Sequence, residues 1–290
     1  MIVAAVLLAL VSASCFALGA ALQQRAARRE PQHGTFDPRL FVRLLRRRRW
    51  LLAKSPDLAG TVLQALALRM GPLTLVQPLM ISGMFLAIPL EAALDHRRPH
   101  PRDVTAVTCC VFGLAVFLAA ARPRAGVSEP SPTGWLGVGL VGVTLIAICL
   151  ALACRVTGAL RGTLLGTASG LLYAGTASLL KTFAGRVSAD PLAVLTDWHL
   201  YALGVLGLAA VALNQNAFQN GPLAAPLTAI TLVDPVASVL IGVTAFHETM
   251  SFGGLRLLVE IPAVLAMIFG IWLASTRSTG REGFEGGQPR

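Results

Sequence analysis

The sequence is short of charge. Only 13% of its 290 residues are Asp, Glu, Lys or Arg, against 55% hydrophobic residues and a mean hydropathy of +0.69. A soluble chain carries about twice that charge, and no polar stretch here is long enough to make a soluble domain. Cysteine is limited to Cys15, Cys109, Cys110, Cys149 and Cys154, all inside apolar segments. None stands at metal-ligand spacing from a histidine and the count is odd, so they read as small apolar residues. Catalytic motifs are lacking too. His247-Glu248 has no second histidine of the zinc-protease kind, and there is no Gly-Lys phosphate loop, paired histidine cluster or Ser-His-Asp set. The expectation is a protein that is not an enzyme, with no metal and no cofactor, and with no ATPase domain to drive it. The class left is all-α: a polytopic membrane protein.

Nine spans emerge from the hydrophobic runs: Ile2–Gln24, Trp50–Arg69, Pro72–Leu94, Val104–Ala121, Thr133–Cys154, Gly158–Phe183, Trp198–Gln219, Pro222–Phe246 and Leu255–Thr276. The second is the weakest, with Lys54, Pro56 and Asp57 near its start. The net charge of +10 and pI near 10.6 would suit nucleic acid, but position argues otherwise. Nine of the 24 basic residues lie between Arg25 and Arg49, beside spans and ending in RLLRRRRW, so the loop reads as a topology anchor against anionic lipid. No basic region precedes Met1 to Leu22, which reads as a retained first span rather than a cleaved signal. With the N-terminus outside, 17 basic residues fall on the inner side and 6 on the outer, which puts the C-terminus in the cytoplasm of a cell-membrane protein. The Gly-rich tail 278–290 is predicted to be disordered.

An internal repeat carries the most information. Ala5, Ala9, Ala13, Ala17 and Ala21 recur every four residues in the first span. Gly158, Gly162, Gly166, Gly170, Ala174 and Ser178 do so in the sixth. Small residues at this spacing let helices approach closely, within the chain or in a homodimer. The two ridges align at an offset of 157, which also pairs Ser12 with Ser169, Phe16 with Tyr173 and Gln24 with Lys181. Gly71–Leu73 answers Gly221–Leu223, both GPL, at offset 150, with Gln64 and Asn214 each seven residues earlier. VQP at Val76–Pro78 answers VDP at Val233–Pro235 at 157. A glutamate, Glu91 or Glu248, stands thirteen residues after each proline, and Phe112-Gly113 answers Phe269-Gly270. Five matches in one order are hard to assign to chance. Spans one to four (residues 1–132, with the basic cytoplasmic loop 25–49) thus match spans six to nine (158–277), and the fifth (133–157) links them. A shift of five spans reverses each crossing, so the two repeats are inverted, an architecture of secondary transporters.

These features resemble the drug/metabolite transporter superfamily, across nearly the whole chain. The resemblance rests on the inverted repeat of short spans, the GPL starts, the VQP and VDP turns and the glutamate closing the third and eighth spans. The family glutamate commonly follows glycine; here Leu90 and His247 precede Glu91 and Glu248, a departure from that pattern. Ten spans are usual; nine with the N-terminus outside is similar to the EamA-like relatives' NIPA-like magnesium branch. The resemblance implies a secondary transporter of small metabolites or, in that branch, of divalent cations.

The stretch Leu223 to Phe246 centres on Asp234, followed by Pro235. A carboxylate at bilayer depth costs roughly 2.5–3.5 kcal/mol and usually faces a cavity or partner. Pro235 removes a helical N–H and frees the Thr231 carbonyl, so a broken helix beside an acid is one reading and a simple kink the other. Candidate solute-binding residues are Gln64, Gln77, Asn214, Gln215 and Asp234. Lys54 and Asp57 are expected to pair with each other. Glu91 and Glu248 are read as gates or anchors, or as helix ends in water. Gly162, Gly166 and Gly170 are read as helix-packing positions. Transport of an unidentified solute, proton-coupled or not, is the leading expectation; divalent cation passage and a scaffold without flux are the alternatives. No nucleic acid is expected as a partner; the bilayer is.

Overall fold

The structure, a computed structural model, describes residues 2–27, 48–83, 101–189, 193–219, 224–251 and 257–270. They form helices α1 (Ile2–Ala27), α2 (Arg48–Met70), α3 (Leu73–Met80), α4 (Pro101–Ala121), α5 (Pro132–Ala153), α6 (Gly158–Ala189), α7 (Trp198–Gln219), α8 (Ala224–Thr244) and α9 (Leu257–Gly270), with a 3₁₀ turn at Ala193–Thr196. Extended pairing among the described residues is limited to one bridge, Arg124 to Thr249. Glu91, the basic loop and the tail lie outside the described residues.

Local chemistry sets several ends. Ser131 caps α5, its Oγ accepting from the Gly134 N–H at 3.1 Å, with Pro132 at the first helical position where no N–H is needed. Gly158 takes φ +66 and turns the chain into α6. Of the two readings of Pro235, the broken helix is not the one observed: α8 runs through the proline as one helix. Tertiary packing on both sides holds the turn that lacks the bond.

The helices Ile2–Gly19, Pro132–Ala153, Gly158–Ala189 and Trp198–Ala217 are long and apolar enough to cross a bilayer; Thr108–Ala121, Thr228–Thr244 and Leu257–Gly270 are apolar but shorter. Their outward faces are apolar, with Leu140 73% and Leu208 69% exposed. An exterior of this kind suits hydrocarbon and is costly in water. This is an all-helical membrane protein. At about 1.5 Å per residue, the 32-residue α6 reaches about 48 Å, so its last turns pass beyond a core of about 30 Å.

The core is built on small residues, because van der Waals contact rather than water exclusion drives helix association in lipid. Ala5, Ala9, Ala13 and Ala17 are buried in α1, and Gly162, Gly166 and Gly170 in α6. A Cβ on Gly166 would lie 2.7 Å from the Pro226 carbonyl oxygen, and one on Gly170 3.0 Å from Val233 Cβ. Gly166→Val is therefore expected to force α6 off α8, at a cost of about 1–3 kcal/mol or more for overpacking. Thermal unfolding in detergent checks this, with exposed Gly137→Val as the tolerated comparison, since nothing lies within 4 Å of a Cβ there.

Contacts recur at the repeat offsets. Ser12 Oγ donates to the Gly60 carbonyl at 2.7 Å, and Ser169 Oγ to the Ala210 carbonyl at 3.0 Å. Asp57 lies against Gly19, while at the matching positions Thr176 lies beside Gly207. Cys110 Sγ reaches the Met267 carbonyl at 3.4 Å, a contact between two residues themselves 157 apart. α3 packs on α8, as α1 does on α2 and α6 on α7.

Candidate functional site

Of the mid-depth polar residues, one group converges where α6 crosses α8. Gly170 lets α6 close onto the Asp234 backbone. Asp234 is half-buried, and its Oδ1 accepts from Ser238 Oγ at 3.3 Å, one turn along α8. One turn along α6, the Tyr173 hydroxyl accepts from Asn214 Nδ2 at 3.3 Å and lies within electrostatic reach of Asp234 and Asp57. Among the described residues, Asn214 Oδ1 is buried without a partner. The cluster therefore offers a carboxylate, an amide oxygen and a phenol whose own proton remains to be donated.

The other candidates divide. Gln215 is exposed and does not join the cluster; Asn216 is exposed as well, its Nδ2 donating to the Ala212 carbonyl of its own helix at 2.9 Å. Helical spacing leaves α7 only one inward amide of the three, Asn214. Gln64 is half-buried on α2. Gln77 is buried, and among the described residues its Nε2 has no partner. The match around it is longer than VQP and VDP alone: Thr74 to Pro78 reads TLVQP and Thr231 to Pro235 reads TLVDP. Asp57 is described, but the Lys54 side chain is not among the described ones, so the expected pair cannot be placed.

A second constellation is a closely bonded polar group around Glu248. Glu248 does not end a helix in water; its side chain is fully enclosed. Oε1 accepts from the Leu73 N–H at 2.7 Å and from Lys181 Nζ, and Oε2 from the Thr74 N–H at 2.8 Å. The carboxylate thus caps α3, where orphan N–H groups and the helix dipole favour an anion. Lys181 Nζ also sits 4.3 Å from the centre of the Phe246 ring, a cation–π contact. Local backbone aims the acid: His247 adopts φ +53, and the Glu248 N–H bonds back to the Gly242 carbonyl at 2.9 Å. Glycine takes that left-handed conformation without strain and a residue with a Cβ does not, which leaves His247 strained here. A Cβ on Gly242 would strike Glu248 Oε2 at 2.7 Å and Thr74 Cγ2 at 2.9 Å.

Beside it lies a cluster that sequence patterns do not announce. Arg186 bonds Glu129 through Nε at 3.1 Å and Nη2 at 2.5 Å, and Asp197 through Nη1 at 2.7 Å. Buried His199 shares its Nδ1 with Asp197 Oδ1 at 2.6 Å and packs against the rings of Trp198 and Trp135, which also touch each other. Burial pushes the Asp197 carboxyl up, but the hydrogen bonds from His199 and Arg186 outweigh it and hold its pKa below the usual 3.8. A lowered carboxylate stabilises the fold above its ordinary pKa and loses that contribution as pH falls through the folded value. Acid titration is thus expected to loosen this clasp only below about pH 4, the usual carboxylate range. Tryptophan fluorescence of Trp135 and Trp198 reads the transition, and Asp197→Asn should remove it. Among the described residues, no group of three or more His, Cys, Asp or Glu is placed to hold a metal ion.

No family model matches the chain, and no solved structure does. The chain is similar to an uncharacterized protein of Corynebacterium glutamicum, 26% identical over 271 residues that cover 91% of this chain and 94% of the relative.

Proposed function

We propose that this protein is an integral membrane secondary transporter that moves a small solute by alternating access. In this reading it has nine spans in two inverted repeats of the drug/metabolite transporter kind, with the N-terminus outside and the C-terminus cytoplasmic. The observation that carries it is the recurrence of one contact in both halves: Ser12 to Gly60 and Ser169 to Ala210, at the offsets read from the sequence. Two supports accompany it. The contact of Cys110 with Met267 joins equivalent residues of the fourth and ninth spans, as happens beside a pseudo-two-fold axis. The segments assigned by charge to the outer side also meet: Arg124 pairs with Thr249, Lys181 with Glu248 and Arg186 with Glu129.

The solute site is the group around Asp234, Tyr173 and Asn214; Gln77 is the residue aligned with Asp234 in the other half. Its surplus of acceptors favours a solute that carries donors, such as a protonated amine, or a proton in transit. The test is gradient-driven uptake by purified protein in proteoliposomes, with small amines, neutral metabolites and magnesium as separate arms. Uptake of amines or neutral solutes supports the reading, and magnesium uptake alone replaces it with cation passage. No uptake in any arm, together with a cysteine at Asn214 that labels from neither side, points to a scaffold.

A further inference from the structure

We propose that Glu248, Lys181 and the first turn of α3 form the bolt that closes the outer side of the permeation path. The inference rests on the transport reading above and names its gate. Three donors meet on one carboxylate: the N–H groups of Leu73 and Thr74 and the Lys181 ammonium. Their chain positions decide the role. Glu248 and Lys181 belong to the second half, and α3 to the first. The serine-to-carbonyl contacts each stay inside one half, so rocking of the halves leaves them intact. The bonds from Glu248 to the Leu73 and Thr74 amides cross between halves, and opening must break them, while the pair with Lys181 stays inside the second half.

The energetics suit a reversible closure. Charges drawn out of water into a dry site gain a strong mutual attraction, and that gain is largely offset by lost hydration. The closed and hydrated states therefore lie near one another in free energy, while a half-broken state with one buried charge unpaired is costly. That is a two-state element. The surroundings point the same way. Among the described residues, Thr74 Oγ1, Gln77 Nε2 and Thr182 Oγ1 are buried without partners, and all three lie on α3 or next to Lys181 in the chain. Buried polar atoms left unsatisfied cost free energy in the closed state and regain water on opening. Phe246, fully buried under Trp135, is the apolar lid over the pair. The bolt is also one-sided, since the residue aligned with Lys181 in the first half is Gln24.

The experiment measures separation of the outer helix ends and needs no flux. Spin labels are placed at Arg69→Cys on α2 and Thr244→Cys on α8, both exposed, in protein lacking the native cysteines and held in nanodiscs. Lys181→Gln, which makes the halves alike at this position, and Glu248→Gln are each expected to raise a longer-distance population at least tenfold. Lys181→Arg, which keeps the charge, should retain the parent distribution. Unchanged distances in both Gln variants overturn the bolt and leave the transport reading to its own uptake assay. A distance change in a protein that moves no solute keeps the bolt and removes the transport reading. Should both Gln variants fail to fold, hydrogen exchange of the parent protein decides. Leu73 and Thr74 amides exchanging faster than those of α8 support opening, and equal protection overturns it.

Discussion

Asp234→Asn is expected to abolish solute flux in proteoliposomes while the protein inserts and folds as before. The amide is nearly the same size as the carboxylate and can still accept from Ser238 Oγ, now 3.3 Å from Oδ1. What it lacks is the charge. A hydrogen bond to a charged group contributes about 1.5–3 kcal/mol, which corresponds to roughly 10- to 150-fold in affinity for a cationic solute. If Asp234 instead carries a proton, the asparagine cannot take one up, and coupled flux stops altogether. A charge at this depth costs roughly 2.5–3.5 kcal/mol to insert, and among the described residues its only side-chain bond runs along its own helix, so packing gives little reason to keep it. Initial uptake rates at matched protein density measure the effect. Parent-like rates would remove Asp234 from the mechanism and leave Tyr173 and Asn214 as a helix contact.

Glu248→Ala is expected to give the largest loss of stability of any single substitution in the described bundle. It strands the Lys181 ammonium in a dry site and leaves the Leu73 and Thr74 amides without their acceptor. Breaking a buried pair from one side costs about 3–5 kcal/mol. Glu248→Gln should cost less, because its amide oxygen still caps α3. Lys181→Met combined with Glu248→Met should recover part of the loss, since two apolar side chains leave no charge behind. Denaturant or thermal unfolding in detergent ranks the three. An alanine variant within about 1 kcal/mol of the parent, the range of an ordinary surface pair, would show that the carboxylate is hydrated in solution.

These two acids show how differently the chain discloses its parts. Asp234 stands out as a lone charge in an apolar run, and both its depth and its repeat partner Gln77 are legible from spacing. Glu248 is equally visible, and so is its alignment with Glu91, but nothing near it says that it is enclosed. Its donors lie 67, 174 and 175 residues away. Gln215 illustrates the reverse: three adjacent amides look like a cluster, and the helix turns only Asn214 inward. His199 and Asp197 escape a pattern search because their meaning comes from Arg186 and Glu129 on other segments.

By itself the sequence determined the all-helical membrane class, the rough bounds of most helices and the ridges on which they pack. These depend on local quantities: about twenty apolar residues to cross hydrocarbon, and a small residue every four to let backbones meet. Tertiary structure alone decided that α8 stays whole through Pro235, that Glu248 caps α3 rather than facing water, and that Lys181 is its partner. The physical reason is that a polar group in a low-dielectric interior must find its complement wherever helices cross, and crossing points are set by packing of the whole bundle rather than by neighbours in the chain.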